Sequence, residues 1–335
     1  MIRDKRIVVA VLDWGLGHAT RSTPIIRDLT TKGNTITIAS SGLALRLLKD
    51  EFPHCHVLEL PSYNIRYASS NMAMNMLRQA PKILRSIKAE HSVLHNFLKD
   101  HPQDVILSDN RYGCYSPSLQ NIFISHQLNL KAPFGARLIN YIQSRWLKPF
   151  QEIWVPDDEH RTLSGDLSDP TYYPNKQIRY IGPQSRLNKV KSSTLYDIAV
   201  ILSGPEPQRT NLEDELLEQL NGFDLKSIVV RGSKNPRSRV SSSSNFRIAI
   251  QDVANAQEIS EIISGSKLIV ARSGYSTIMD MAKLGGKALF IPTPGQTEQV
   301  YLARRLKEKG IADFQKQGYL DIQSALSNLI NYTGW

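Results

Sequence analysis

The stretch Leu268–Gln299, LIVARSGYSTIMDMAKLGGKALFIPTPGQTEQ, decides how the chain is read. It opens on a short β-rich run, Leu268–Ala271, that runs into Arg272-Ser273-Gly274. Ser276 or Thr277 then serves as a cap, and Ser276–Leu284 has helical apolar spacing. A second β run, Ala288–Ile291, ends at Pro292, and a further helical segment starts at Gln296. Strand, turn, helix and strand in this order form a unit of parallel sheet. At its turn, the free N–H groups and positive dipole end of a helix start favour phosphate. Gly274 lets such a group approach the backbone. Asp280 suits ribose hydroxyls, and Glu298 with Gln299 suits sugar hydroxyls.

The same alternation extends in both directions. Upstream, Asp197–Ser203, Lys226–Arg231 and Phe246–Gln251 read as strands, with helices over Leu212–Leu220 and Ala256–Ile263. Downstream, Gln296–Lys309 and Ile322–Asn331 read as helices. In the first half, strands are expected at Arg6–Leu12, Asn34–Ala39, His56–Leu60, Asp104–Ser108, Asn121–Ser125 and Glu152–Val155. Helices are expected at Thr20–Thr31, Gly42–Glu51 and Ala80–Leu98. The fold class is therefore α/β, with two Rossmann-like doubly wound parallel-sheet domains facing a cleft. The boundary is expected within Pro156–Tyr196, giving domains 1–180 and 181–335, with the last helix able to pack back on the first. Ser241–Ser244 reads as a loop.

The chain has 335 residues, too many for one small core, so two domains are the default. Its net charge of +10 suits an anionic partner: a phosphorylated ligand, an acidic membrane surface or nucleic acid. Two cysteines, Cys55 and Cys114, lie far apart and suggest neither a disulfide framework nor a zinc site. No apolar run approaches the about 18 residues needed to cross a bilayer, and the N-terminal run ends at Asp13. A cytoplasmic protein is expected, peripheral at the inner face of the membrane if it touches one. Two segments invite that contact: Tyr63–Lys88, with Met72, Met74, Met76, Leu77 and Arg66, and Phe134–Phe150, with Arg137, Arg145, Trp146 and Lys148. Ordinary packing with a solvated basic face is the favoured reading of both. No zinc finger, RNP or helix-turn-helix signature supports nucleic acid.

The ordered set R-S-G-x-S-T-x-x-D, G-x-x-x-L-F-I-P and E-Q resembles the C-terminal donor domain of the MurG-like glycosyltransferases (glycosyltransferase family 28). Those enzymes add N-acetylglucosamine to a lipid-linked acceptor. The set is also similar to a distant form of the signature box of plant and bacterial UDP-sugar transferases. The resemblance implies a GT-B fold and an inverting transferase that moves a sugar from a UDP-sugar donor to a glycan or lipid-linked acceptor. It implies that the turn Arg272, Ser273, Gly274, Tyr275, Ser276 and Thr277 binds the donor, with Ser273, Gly274, Ser276 and Thr277 at the diphosphate. Asp280 would take the ribose, and Glu298 and Gln299 the sugar. Asp280 stands where MurG-like enzymes carry glutamate and Glu298 where they usually carry glutamine, which leaves the sugar open. The turn Ser203-Gly204-Pro205-Glu206-Pro207-Gln208-Arg209 falls at the family's glycine-rich donor loop, which adds Ser203, Gly204 and Arg209. Arg186, in YIGPQSR, resembles a linker arginine, and Val253–Glu258 falls where the family contacts the base. No DxD element is placed to carry a metal-bound diphosphate, so neither metal nor cofactor is expected.

The strand Arg6–Leu12 ends in Asp13-Trp14-Gly15-Leu16-Gly17-His18-Ala19-Thr20-Arg21. This Gly-x-Gly turn puts Gly17 near a donor and His18 at a helix start, where a cation is disfavoured. A neutral imidazole takes a proton near pH 7, so His18 is the candidate base. Capping or phosphate binding is its other reading. Asp109, in VILSDNRYG, follows another strand and is the second base candidate. His126, in SHQLN, reads as structural. The G-x-G-H-x-x-R pattern is similar both to glycosyltransferases and to the UDP-sugar hydrolases of the pseudaminic acid pathway. Transferase and hydrolase thus remain alternatives, with related epimerases and a non-catalytic basic binding protein behind them.

Overall fold

Valine and isoleucine dominate the central strands, which are buried on both faces, as a parallel sheet covered by helices requires. The computed structural model describes residues 2–63, 72–131, 135–191, 193–233 and 247–335. Arg66, Phe134, Phe246 and the serine run Ser241–Ser244 lie outside the described residues, as do the side chains of Met72, Met74, Met76 and Leu77.

In chain order the first unit contains β1 (Arg6–Val11), α1 (Gly17–Thr31), β2 (Thr35–Ser40), α2 (Gly42–Glu51), β3 (His56–Glu59) and α3 (Met72–Asp100). It continues with β4 (Val105–Asp109), β5 (Gln120–Ile124), α4 (Ala136–Trp146), β6 (Glu152–Val155) and β7 (Gln177–Tyr180). Its sheet has the order β3-β2-β1-β4-β5-β6-β7, and each pairing is parallel. Alternate residues of β1 serve opposite layers. Ile7, Val9 and Val11 pack with Ile26 and Leu29 of α1, whereas Val8 and Ala10 pack with Leu94 of α3. Each such fully buried aliphatic side chain stabilises the unit by about 1.5–3 kcal/mol.

The second unit contains β8 (Tyr196–Ile201), α5 (Gln208–Leu220), β9 (Ser227–Val230), β10 (Ile248–Gln251), α6 (Ala256–Ser264) and β11 (Ser266–Ala271). It continues with α7 (Tyr275–Leu284), β12 (Ala288–Phe290), α8 (Thr297–Glu308), β13 (Asp313–Phe314) and α9 (Ile322–Ser327). Its parallel sheet runs β10-β9-β8-β11-β12-β13. Ile322 and Ala325 of α9 lie in the core built on Ile198, Val200, Leu216 and Val270.

Three sequence expectations need correction. α1 begins at Gly17 rather than Thr20, which places Gly17 and His18 inside its first turn. The units divide between Arg186 and Leu187, inside the expected span Pro156–Tyr196, and β7 is the seventh strand of the first sheet. Beyond it, Ile181 N donates to Val155 O and Gly182 N to Asp157 O. Asp157, expected in a linker, is buried and accepts from the backbone N–H groups of Asp158, Leu163 and Ser164. Finally, Ser276 and Thr277 do not cap α7. Gly274 is the N-cap, with extended backbone and no side-chain cap.

Candidate active site

A doubly wound sheet opens where its strand order reverses, because the connections on either side of that point leave in opposite directions. In the first unit the reversal lies between β1 and β4. Val11 pairs with Asp109, the last residues of these strands, so the loop carrying His18 and the Asp109 side chain share this edge.

Asp109 is wholly buried. Its Oδ1 lies 2.8 Å from His18 Nδ1, and its Oδ2 accepts from Arg21 Nε at 2.8 Å and Ser22 Oγ at 3.0 Å. Arg21 Nη2 also donates to Asp109 Oδ1 in a short contact. Arg21 Nη2 lies 2.9 Å from His18 Nδ1, and Arg21 Nη1 lies 3.2 Å from His126 Nδ1. A proton on His18 Nδ1 points to Asp109 and leaves Nε2 as the accepting nitrogen. An arginine has no acceptor, so Arg21 can only donate toward His126 Nδ1.

Burial lowers the His18 pKa most, the Arg21 charge lowers it further, and Asp109 opposes both. Burial alone would raise the Asp109 carboxyl, but the Arg21 and His18 charges outweigh it and hold the group well below the usual carboxylate range. Asp109 is thus a permanent anion that fixes the imidazole.

Behind this pair lies a second buried network. Arg111, fully buried, donates to Val11 O at 2.9 Å, Glu90 Oε2 at 3.0 Å and Ser41 Oγ at 2.7 Å. Glu90 also accepts from Tyr63 Oη and Gly113 N, both at 2.8 Å. Gly113 has to be glycine, since a Cβ there would stand 2.2 Å from the Ile87 carbonyl. Asn110 adopts a positive φ of 56°, which asparagine tolerates, and it turns the chain so that Arg111 folds back beneath β1.

In the second unit the reversal lies between β8 and β11. Ala271 pairs with Ile201 on one side and Phe290 on the other. Three connections meet here: 202–207, 272–274 and 291–296. Ser203 and Gly204 are exposed, and Gly204 has a φ of 100° that only glycine takes easily. Its missing Cβ would lie 3.6 Å from Thr293 Oγ1, a buried hydroxyl with no hydrogen-bond partner. The space beside Gly274 is open, with nothing within 4 Å of a Cβ placed there. This glycine is required neither by its backbone nor by its neighbours. Ser276, Thr277 and Asp280 are half-buried along α7, and Tyr275 is buried.

The arginines of this edge turn inward. Arg272 is 1% exposed; it donates to Ile291 O at 3.1 Å, Pro292 O at 3.2 Å, Gln208 O at 2.8 Å and Gln317 Oε1 at 2.7 Å. Burial pushes its pKa down to about 10 against the opposing pull of Glu215. Arg209 is buried, bound to Arg231 O at 2.9 Å and to Glu206. Ser273 is buried, and its hydroxyl donates to Gln299 O at 2.8 Å. Gln299 accepts from Thr293 N at 2.8 Å and donates to Gln296 Oε1 at 2.7 Å. Glu298 is half-buried in the first turn of α8. Arg186 is the last residue of the first unit. In the segment Val253–Glu258, Asn255 and Glu258 form a capping box on α6.

Ten of the expected residues therefore gather at the second switch point: Ser203, Gly204, Arg272 to Thr277, Glu298 and Gln299. His18 and Asp109 meet at the first, beside Gly17. Sequence reasoning did not single out the bonds from Arg21, Ser22, Arg111, Glu90, Thr293 or Gln317. The Arg-Ser pair three residues after His18 was the only available signal. No group of three metal-binding side chains is assembled among the described residues.

Comparison with known proteins agrees with this geometry. Residues 208–331 match the glycosyltransferase family 28 C-terminal domain. A curated relative, the UDP-N-acetylglucosamine--N-acetylmuramyl-(pentapeptide) pyrophosphoryl-undecaprenol N-acetylglucosamine transferase of Buchnera aphidicola subsp. Schizaphis graminum, is 23% identical over 331 residues; the match covers 94% of this chain and 86% of that protein. Among solved structures, Arabidopsis thaliana UGT89C1 aligns with a TM-score of 0.72 at 12% identity, covering 98% of this chain and 92% of its own. MurG of Acinetobacter baumannii aligns with a TM-score of 0.60 at 14% identity, covering 97% and 89%. The fold is of the GT-B type, and the family 28 match supports a glycosyltransferase. Within that class the chain is MurG-like, and its second unit carries a family 28 C-terminal domain.

Proposed function

We propose that the protein is an inverting, metal-independent transferase that moves a sugar, N-acetylglucosamine in the first instance, from a UDP-sugar to a glycan or lipid-linked acceptor. The observation that carries the reading is the His18 imidazole held at 2.8 Å by a buried, permanently ionised Asp109. The acceptor hydroxyl gives its proton to His18 Nε2 while its oxygen bonds to the anomeric carbon. The bond from that carbon to the diphosphate oxygen breaks, and UDP leaves with the electron pair. In the second unit, Ser203, Gly204 and the N–H groups behind Gly274 receive the diphosphate, with Ser276 and Thr277 as hydroxyl donors. The uncapped start of α7 supports this, since its dipole offsets anionic charge without a metal. Asp280 takes the ribose and Glu298 the sugar. Arg209, Arg272, Ser273 and Gln299 serve the donor indirectly, by holding the loops. Asp109 is a positioning residue.

UDP release from UDP-N-acetylglucosamine, followed with and without a lipid-linked acceptor, tests the reading. Acceptor-dependent release that survives chelation and disappears in His18→Ala supports it. Fast free-sugar release without acceptor would instead establish the hydrolase, a reading favoured by the same His18-x-x-Arg21 arrangement. A calorimetric panel of UDP, GDP and dTDP identifies the base.

A lipid-linked acceptor has a bearing on α4. This helix is inverted: Asn140 and Gln143 are buried and hydrogen-bonded, whereas Leu138 is 63% and Tyr141 58% exposed, beside Ile139, Ile142 and Trp146. Arg137, Arg145 and Lys148 flank this face and are exposed. No helix among the described residues is long and apolar enough to cross a membrane. The α4 face supports peripheral contact with an anionic membrane. Leu138→Glu should then reduce co-sedimentation with anionic vesicles; unchanged binding would remove α4 from the proposal.

A further inference from the structure

His18 faces three charged or titratable groups: Arg21 on its own helix, Asp109 at the end of β4, and His126 after β5. A carboxylate bonded to an imidazole normally does two things. It fixes the ring, and it draws a proton onto it by stabilising the imidazolium. Only the first helps a general base, because a base already protonated at neutral pH accepts nothing. In this site the carboxylate has a prior claim on its charge. Arg21 is 4% exposed and reaches both Asp109 oxygens, through Nε at 2.8 Å and through Nη2. Its third nitrogen lies 3.2 Å from His126 Nδ1, a further contact that holds the guanidinium in place.

We propose that Arg21 is a positioning residue that keeps the His18 imidazole neutral: by neutralising Asp109 in a buried two-point ion pair, it leaves the carboxylate free to orient the ring without drawing a proton onto it. The inference rests on the reading of His18 as the base. The geometry makes a directional statement. With Arg21 present, protonating His18 puts a second cation 2.9 Å from the first. With Arg21 removed, Asp109 is a buried anion whose nearest available cation is the His18 imidazolium. The downward direction of the His18 pKa, where the Arg21 charge outranks the pull of Asp109, agrees.

The test is the proton titration of His18 in the full-length chain, followed by NMR with labelled histidine and assigned by the signal lost in His18→Gln. In Arg21→Met, the half-protonation pH of His18 should rise by at least about one unit. Arg21→Lys, which keeps the charge, should restore most of the wild-type value. Should Arg21→Met not fold, Asp109→Asn is compared with Asp109→Asn/Arg21→Met, a pair without a buried anion; the double variant should titrate higher. A His18 that titrates at the same pH with and without Arg21 overturns the inference. The acid limb of kcat/KM for UDP release from UDP-N-acetylglucosamine should move upward in Arg21→Met, with turnover returning at alkaline pH. A purely structural Arg21 would instead lower turnover equally at every pH, and that outcome also overturns the inference. The two readings fail separately. A shifted titration with full turnover in His18→Ala removes His18 as the base and leaves the Arg21 effect standing. An inactive His18→Ala with an unmoved titration does the reverse.

Discussion

The two switch points use charge in opposite ways. At the first, charged side chains converge on the edge, and Asp109, Arg21 and His18 are bonded to one another within reach of solvent through His18 alone. At the second, the arginines turn away from the edge. Arg209 and Arg272 spend their donors on backbone carbonyls, and what remains at the surface is glycine, hydroxyl and backbone N–H. The chain carries a net +10, yet Arg209 and Arg272, the arginines described at this edge, are buried. A proton-transfer site needs a tuned titratable group, which burial and neighbouring charges tune together. A phosphate site needs many fixed donors, which a helix start supplies from the backbone.

Four substitutions and one pH series probe this contrast, from the largest expected effect to the smallest. His18→Ala should lower turnover by about 10²–10⁴-fold without changing UDP affinity. A parallel loss of affinity would mean that the first edge binds the donor rather than handling a proton. Gly274→Val should weaken UDP binding by about 100-fold in calorimetry, through lost donor contacts, with an unchanged melting temperature. The open space beside Gly274 makes that split possible, and a mutant that binds UDP normally would move the diphosphate elsewhere. Arg272→Ala should cost about 3 kcal/mol of stability in denaturant titration, because it removes four hydrogen bonds from a buried guanidinium. Stability left intact would mean that the guanidinium is not the clamp described above. Asp280→Asn should weaken UDP, but not pyrophosphate, by about tenfold.

The pH series carries the smallest effect. Neutral imidazole is the reactive form, and burial with Arg21 lowers the pKa of His18 below the ordinary 6.5. A lowered pKa means that the neutral form persists to lower pH. The kcat/KM for UDP release should therefore stay flat from about pH 8 down to about 6.5 and fall only below it. A limb centred above 6.5 would show that Asp109 dominates Arg21.

Much of the fold is legible because parallel strands are apolar on both faces. Ile7–Val11, Ile198–Ile201 and Leu268–Ala271 stand out as runs and could hardly be anything else. β7 does not, because Gln177–Tyr180 is a half-buried edge strand with polar alternates, and β13 is only two residues long. The start of α1 is hidden in the sequence because Gly15-Leu16-Gly17 reads as a turn, although the helix already begins at Gly17. At the sites, position in the chain gives the loop but not the direction of a side chain. Ser203 and Ser273 stand in equivalent places, two residues beyond Ile201 and Ala271, yet one is exposed and the other is buried. The bond from Ser273 to the Gln299 carbonyl, distant in sequence, goes with that difference.

Arg272 also bears on how the second edge moves. One guanidinium ties the connection after β11 to those after β8, β12 and β13. Loops pinned by separate contacts would fluctuate one at a time, each exposing its own amides. Loops pinned by a shared side chain open together or stay closed, as a single cooperative unit. Hydrogen exchange across Gln208–Thr210, Gly274–Thr277 and Thr293–Gln296 should accordingly report one common opening free energy instead of three.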